Sequence, residues 1–139
     1  MEPTSTNRDL VTRYTQEVFD NGNVDAVDQF LAPDFVNHVT GRIGTEDFKR
    51  LAEEVGGAPG SANLIDLVVA EGDFVVALMT ITRTLDRETT LFGFTFPGNG
   101  QSYTVSHVHI YRVAEGLIRE HWAVRDDLSM LRQLGVLNG

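Results

Sequence analysis

Residue types capable of proton transfer are concentrated near the C-terminal end of the sequence, in two strand-like segments and the residue after them. The segments are residues 101–113 and 117–125, and the residue after them is Asp126. Because strand side chains alternate between two faces, one face of the first segment carries His107, His109 and Tyr111. These groups can exchange protons or hydrogen bonds, so they mark a candidate acid/base site.

The turn between the two segments decides which residues of the second one join that face. A two-residue turn at Glu115-Gly116 pairs Ala114 with Leu117. Continued along the hairpin, this register gives the pairs Tyr111 with Glu120, His109 with Trp122, and Val105 with Asp126. We therefore predict that Trp122 and Asp126 share the histidine face. A shift of one residue would reverse that prediction, since it moves every later side chain to the other face.

Asp126 is the predicted acid/base group of this face. A carboxylate among apolar side chains loses hydration, which raises its pKa and lets it exchange protons near neutral pH with a carbon next to a carbonyl. The enolate oxygen that forms needs a hydrogen-bond donor, which could be His109, His107, a tyrosine hydroxyl or Asn37. This chemistry requires neither a metal nor a cofactor, and we expect none.

Each of these residues also has a purely structural interpretation. Asp126 precedes a predicted helix and could cap it. His107 and His109 have the spacing of two metal ligands on a strand, although a hydrogen-bonded histidine in an aromatic core fits the same spacing. The residues that could either contact substrate or lie in the core or a loop are Trp122, Tyr14, Asn37 and His38.

Hydrophobic periodicity predicts the elements that position these residues. Apolar residues at helical spacing predict helices at residues 7–21, 23–31 and 45–55, the last ended by Gly56-Gly57. Alternating segments predict extended structure at residues 35–39, 63–70, 74–85, 89–96, 101–113 and 117–125, followed by a helix at 127–134. Three helices before an antiparallel meander indicate an α+β fold, with helices covering one face of a curved sheet around a deep apolar pocket. We expect residues 1–139 to form a single domain.

The composition is that of an ordinary globular domain. With 20 acidic and 11 basic residues the formal net charge is −9, and no basic stripe is present, so a nucleic-acid partner is not expected. The sequence has no cysteine, which excludes disulfides and thiolate chemistry. The first residues contain no apolar leader, and no apolar run reaches membrane-spanning length, so we expect a cytoplasmic protein without a membrane partner.

Several short motifs, taken in order, resemble one known family. They are APDFVNH at residues 32–38, EGD at 71–73, HIYRV at 109–113, EG at 115–116, EHW at 120–122, Asp126, and LRQLG at 131–135. Their order and spacing resemble the SnoaL-like polyketide cyclases over nearly the whole chain. The most specific part of the resemblance is residues 109–135.

The resemblance implies the α+β cone of the nuclear-transport-factor-2-like superfamily, usually as a homodimer. It also implies that Asp126 is the acid/base, that His109 matches the strand histidine, and that Asn37 matches the asparagine of the first motif. The expected function is a cofactor-free cyclisation or isomerisation of a hydrophobic polycyclic or polyketide-like intermediate of secondary metabolism. Two alternatives stay open on the same fold: a cofactor-free hydroxylase or epoxide-opening enzyme, and a non-catalytic binding or dimerisation module.

Overall fold

The computed structural model describes residues 3–56 and 58–137, with side chains from residue 6 onward, and it has the predicted α+β architecture. The strands are β1 (Leu31–Asn37), β2 (Arg42–Ile43), β3 (Ala62–Glu71), β4 (Phe74–Leu85), β5 (Thr89–Leu91), β6 (Phe94–Phe96), β7 (Gln101–Ala114) and β8 (Leu117–Arg125). Six of them form one sheet in the order β2-β1-β8-β7-β4-β3, while β5 and β6 form a separate two-stranded hairpin.

The helices lie where hydrophobic periodicity predicts them. They are α1 (Pro3–Tyr14), which continues into a π-helical segment (Thr15–Asp20), a 3-10 turn (Val24–Ala26) leading into α2 (Val27–Phe30), α3 (Glu46–Val55) and α4 (Asp127–Gln133). Gly56 caps α3, and Gly57, predicted to end it, lies outside the described residues. Within the described ranges, no helix is long and apolar enough to cross a membrane.

The helices pack on one face of the sheet, which we call the inner face. Val11 and Val18 of the first helical region are fully buried in one cluster with Val75, Val113 and Ile118 of the sheet. Burying a side chain of this size stabilises the fold by about 1.5–3 kcal/mol relative to leaving it exposed. The apolar stripe of the first helical region therefore holds it across one end of the inner face.

Strand β1 differs from the predicted meander because it runs parallel to β8. The helix predicted to reach residue 31 ends at Phe30, and Pro33 lies inside β1. The register with β8 shifts between Leu31 and Val36, which fits a residue that has no N–H to give to the sheet. The parallel pairing brings Asn37 level with His121, so β1 adds a polar side chain beside β8.

The segment 89–96 is not the continuous strand predicted. It folds back on itself as the β5–β6 hairpin, with Leu91 paired to Phe94. Phe92 and Gly93 both have positive φ, 52° and 80°, as a type I′ turn requires. The chain therefore reverses fully at Phe92-Gly93.

The β7–β8 hairpin has the predicted turn but not the predicted register. Glu115 and Gly116 have φ of 56° and 75°, and Ala114 pairs with Leu117 as predicted. Val113 then pairs with Ile118 but Arg112 pairs with Glu120, which leaves Arg119 as one extra residue, a β-bulge. The Nε of Arg119 donates to the Ala114 carbonyl at 3.2 Å and so ties the bulge to the turn.

The bulge moves every later residue of β8 by one position. Beyond it, Tyr111 pairs with His121, Ile110 with Trp122, His109 with Ala123, and His107 with Arg125. The predicted pairs Tyr111–Glu120, His109–Trp122 and Val105–Asp126 are therefore wrong. His121, Ala123 and Arg125 face inward with the histidines of β7, while Trp122 faces outward.

Candidate active site

The inner face of the sheet and helix α3 border an open cavity of about 1030 Å³, at the upper end of the size range of small-molecule sites. Six of the inward side chains of β1, β7 and β8 that line it form what we call the pocket floor: Asn37, His107, His109, Tyr111, His121 and Arg125. Of the eight predicted site residues, the structure places four in this cavity, namely Asn37, His107, His109 and Tyr111.

Asp126 does not line the cavity, so its predicted place in an apolar pocket is wrong. Its side chain is exposed and accepts a hydrogen bond from the Ser129 backbone N–H at 3.1 Å. This is the N-cap of α4, the structural alternative open at the sequence level. The bulge at Arg119 explains the difference, because it places Arg125 rather than Asp126 on the inner face.

Trp122 and His38 lie together on the opposite, outer face of the sheet and not in the cavity. Their rings stack with centroids 4.5 Å apart and planes inclined by 5°, and His38 Nε2 lies 2.9 Å from Glu120 Oε1. Glu120 also binds Arg112 through its second oxygen. The predicted substrate contacts of Trp122 and His38 are thus replaced by a cluster on the outer face.

Tyr14 is a core residue, only 1% exposed, and it too lies away from the cavity. Its ring contacts Phe19, Phe30 and Tyr111, because the helical spacing that buries Val11 and Val18 buries it as well. Burial raises the pKa of its hydroxyl well above the ordinary value, and that hydroxyl has no hydrogen-bond partner among the described residues.

Three histidines of the pocket floor form one continuous row of hydrogen bonds that ends on Asn37. His107 Nδ1 lies 3.1 Å from His109 Nε2, and His109 Nδ1 lies 2.8 Å from His121 Nε2. His121 Nδ1 then lies 3.1 Å from Asn37 Oδ1. We call these four residues the histidine row.

The Asn37 end gives the row a direction. The backbone N–H of Val39 donates to Asn37 Oδ1 at 3.2 Å, which identifies that atom as the amide oxygen. An amide oxygen can only accept, so His121 Nδ1 carries a proton and its Nε2, in a neutral ring, accepts from His109. The same logic makes His109 Nε2 accept from His107. The Nε2 of His107 is left unprotonated, with no partner among the described residues.

Burial keeps these rings neutral. Desolvation, aided by the positive charge of Arg125, lowers the pKa of His107 to about 4 and that of His121 to about 4. Desolvation and the neighbouring histidines lower the pKa of His109 to about 3. Burial also raises the pKa of Tyr111, so its hydroxyl stays protonated at neutral pH. The free nitrogen of His107 consequently stays unprotonated throughout the physiological range.

Two of the arginines that line the cavity, Arg125 and Arg83, lie on the inner face of the sheet. Arg125 is the strand partner of His107, and its Nη2 lies 3.3 Å from Asp127 Oδ2. Arg83 of β4 also lines the cavity, and its charge contributes to the lowered pKa values of His107 and His109. The inner face thus combines neutral bases with two cations that can attract negative charge, while the rest of the lining carries both arginines and carboxylates, among them Arg87, Asp86 and Glu88.

Sequence reasoning missed His121 and Arg125 because both lie beyond the bulge. The signal that could have found His121 is its place in the EHW motif, level with Asn37 of β1 once the parallel pairing is known. As for metal binding, the described ranges contain no cluster of three or more His, Asp or Glu residues arranged to hold an ion.

Comparison with known proteins agrees with the fold. The model of the SnoaL-like polyketide cyclase family matches residues 9–134. The chain belongs to this family. A nogalonic acid methyl ester cyclase of Streptomyces nogalater is 31% identical over 124 residues, which cover 84% of this chain and 89% of that protein. This SnoaL-like chain therefore shares most of its length with a cyclase.

Solved structures share the fold of this SnoaL-like protein. TsrD from Streptomyces laurentii superposes with a TM-score of 0.80 at 23% identity, covering 99% of this chain and all of that one. A putative polyketide cyclase from Acidithiobacillus ferrooxidans gives 0.78 at 26% identity, covering 96% and 97% of the two chains. The resemblance identified from the motifs and the predicted α+β cone are thus confirmed.

The lowered pKa values predict a pH-dependent stability. Between the ordinary histidine pKa of 6.5 and about 4, the unfolded chain binds more protons at the row than the folded chain does, so the free energy of unfolding falls as the pH is lowered. Each such histidine contributes a slope of up to about 1.4 kcal/mol per pH unit. His109→Gln removes one contribution, so the stability difference between wild type and variant should shrink from pH 7 to pH 5. Urea unfolding of both proteins at several pH values measures this difference in the free energy of unfolding. A difference that stays constant from pH 7 to pH 5 would contradict a neutral histidine row.

Proposed function

We propose that this protein is a cofactor-independent acid/base enzyme of secondary metabolism. Its reaction is an intramolecular, aldol-type cyclisation or an isomerisation of a polyketide-like intermediate. The observation that carries the proposal is the histidine row, which ends in an unprotonated nitrogen of His107 inside a cavity of substrate size. The family, and the cyclase activity named for the Streptomyces nogalater relative, support this class of reaction. Action in the cytoplasm and in antibiotic biosynthesis remains part of the proposal.

In the proposed reaction, His107 Nε2 removes a proton from a carbon next to a carbonyl of the substrate. The electron pair of the broken C–H bond forms the enolate, whose negative oxygen is attracted by the nearby Arg125. In a cyclisation, the enolate carbon attacks a second carbonyl and the resulting alkoxide recovers the proton from His107. In an isomerisation, the proton returns to another carbon. Protons and electrons balance, and nothing else is consumed.

The histidine row adds two properties to this base. When His107 accepts a proton at Nε2, its Nδ1 proton can move to His109 Nε2 and the His109 Nδ1 proton to His121 Nε2, which moves the positive charge along the row to His121. The low pKa of His107 also makes its protonated form a strong acid, suited to returning the proton to an alkoxide. Asn37 and Val39 hold the far end of the row, so we assign them a positioning role.

His107 replaces Asp126 as the proposed base because of where the two side chains lie. Asp126 is exposed, and its carboxylate accepts the Ser129 N–H at the start of α4. A general base has to be within hydrogen-bond reach of the proton it removes from a bound substrate. His107 lines the cavity and Asp126 does not.

Proton abstraction can be tested without knowing the natural substrate. The probe is a polycyclic aromatic β-keto ester deuterated between its carbonyls, and proton NMR measures deuterium loss in water above the buffer background. We expect His107→Gln to slow the enzyme-catalysed exchange by about 100-fold or more, because general base catalysis contributes about 10²–10⁴-fold. The matched control, Asp126→Asn, keeps an N-cap and should exchange at nearly the wild-type rate.

The opposite ranking of the two variants would assign the base to Asp126, and absence of exchange by the wild type would favour the non-catalytic binding module. Two solved structures support the hydroxylase and epoxide-opening alternatives. A putative hydroxylase from Streptomyces galilaeus and an LEH-like epoxide hydrolase from M. tuberculosis have this fold, with TM-scores of 0.76 and 0.73. Oxygen from O₂ or water entering a product would favour them, since a cyclase incorporates neither.

We further propose that the chain acts as a homodimer through the outer face of its sheet. Strand register aligns two apolar rows across this face: Leu67, Leu78, Val108 and Val124 in one, and Val69, Val76, Ile110 and Trp122 in the other. Val124 is 70% exposed and Leu67 56%. The charged groups beside them, Arg112 and Glu120, bind each other and leave little repulsion. Two such faces related by a twofold axis are self-complementary.

Leu78 lies in the first row between Leu67 and Val108. A dimer of the Leu78→Glu variant would have to bury a carboxylate in this interface, so the variant should be a monomer. Leu128→Glu on α4 is the matched control, since Leu128 is exposed but lies outside both rows. Light scattering coupled to size-exclusion chromatography measures the mass. A monomeric wild type, or a dimer that survives Leu78→Glu, would refute this interface.

A further inference from the structure

Arg83 is a cation of the pocket that no described carboxylate neutralises directly. It lies on the inner face of β4, lines the cavity and is half-buried, and burial lowers its pKa. Among the ion pairs of residues 3–56 and 58–137, none includes Arg83. Asp20, whose negative charge acts on Arg83, accepts a hydrogen bond from the Asn63 side chain at 2.9 Å.

Neutral oxygens hold this guanidinium firmly. Its Nη1 donates to Ser61 Oγ at 3.0 Å, to the Thr82 carbonyl at 2.9 Å and to the Ala62 carbonyl at 3.3 Å. Its Nη2 donates to Asn63 Oδ1 at 2.7 Å. These contacts fix the plane of the group but do not cancel its charge. A desolvated charge without a counter-ion is costly, so the site favours an anion that arrives with the ligand.

The bonding pattern leaves part of the guanidinium free for such an anion. Arg83 has five N–H donors, and within the described part of the chain its Nε–H and one Nη2–H have no acceptor. A guanidinium recognises carboxylates best with two parallel N–H groups. The side chain is therefore anchored through Nη1 and one N–H of Nη2, and it retains donors on Nε and Nη2.

Tyr103 adds a further donor beside Arg83. The two residues are partners in the β4–β7 register, and both line the cavity. Burial raises the pKa of the Tyr103 hydroxyl, which therefore stays protonated at neutral pH. A protonated phenol can donate to a carboxylate oxygen that Arg83 also binds.

This anion site and the proposed base lie at different points of the same inner face. His107 is the partner of Met79, and Arg83 is four residues further along β4, a separation of about 13 Å at about 3.3 Å per residue. An extended polycyclic molecule can place one end at each point. The apolar side chains between them on β4 and β7 include Ile81 and Val105, which suit the rings of such a molecule.

We propose that the substrate of this enzyme is a free carboxylic acid, bound through its carboxylate by Arg83 and Tyr103 while its reacting carbon lies at His107. The inference rests on the proposed function for the reacting end only; the anion site stands on Arg83 and its contacts. By its name, the relative from Streptomyces nogalater acts on a methyl ester. The carboxylate would distinguish this chain's substrate from that one.

The test compares binding of two probes, anthraquinone-2-carboxylate and its methyl ester, by calorimetric titration at neutral pH. Wild type should bind the acid at least about tenfold more tightly than the ester, as charge-assisted hydrogen bonds of about 1.5–3 kcal/mol predict. Arg83→Gln should abolish the preference and leave the ester affinity within about twofold. Arg83→Lys should keep part of it, since the charge remains but the planar fork is lost. The matched control is Arg132→Gln on α4, which removes an exposed cation outside the cavity and should change neither affinity.

Equal affinities of wild type for acid and ester would overturn the proposal. Equal losses for both probes in Arg83→Gln would overturn it too, because they would mean that Arg83 only holds residues 61–63 in place. The result separates from the proposed function: a wild type that prefers the acid but exchanges no deuterium keeps the anion site and loses the catalytic role. A wild type that exchanges deuterium but binds acid and ester equally keeps the catalytic role and loses the anion site.

Discussion

One extra residue in a hairpin determines the chemistry of the pocket. Arg119 is accommodated as a bulge in β8, held by its hydrogen bond to the Ala114 carbonyl, and every residue after it faces the opposite way from the continuous register. His121 therefore meets His109 and Asn37 on the inner face, and Arg125 lies beside His107. Without the bulge the inward side chains of β8 would be Glu120, Trp122 and Val124, and no histidine row could form.

The pKa values of the three histidines follow from the groups that the bulge brings together on the inner face. Three imidazoles in a desolvated row cannot all carry charge, and the arginines nearby lower their pKa values further. The amide of Asn37, oriented by the Val39 N–H, converts three equivalent rings into an ordered series with one free basic nitrogen. On the inner face, positive charge is thus carried by Arg83 and Arg125, where an anionic substrate or enolate can use it.

The sequence predicted the elements of this fold well because hydrophobic periodicity is a local property. Helices, strands and the Glu115-Gly116 turn lie close to where alternation and turn chemistry place them, and the family motifs identify the architecture. His107, His109 and Tyr111 share the predicted face because they belong to one strand. Asn37 reaches the same cavity through its parallel pairing with β8, a contact that periodicity cannot reveal.

The predictions that failed depend on contacts between strands. A bulge could not be read from the hydrophobic pattern of β8, because its sequence LIREHWAVR does not alternate apolar and polar residues and so does not determine which face each side chain takes. Asp126 and Trp122 were assigned to the pocket on that register, and both moved out of it with a shift of one residue. Tyr14 shows the same limit, because tertiary packing decides whether an aromatic residue lines a cavity or a core. The β5–β6 hairpin shows it too, because its strands pair with each other.

The ordered histidine row is the central claim, and its tautomers can be observed directly. Nitrogen-15 NMR of histidine-labelled protein at pH 7 distinguishes protonated from unprotonated ring nitrogens. The hydrogen-bond directions predict that His107, His109 and His121 are all neutral, with the proton on Nδ1 and an unprotonated Nε2. A protonated Nε2 on His107, or a doubly protonated ring anywhere in the row, would contradict that order and remove the proposed base.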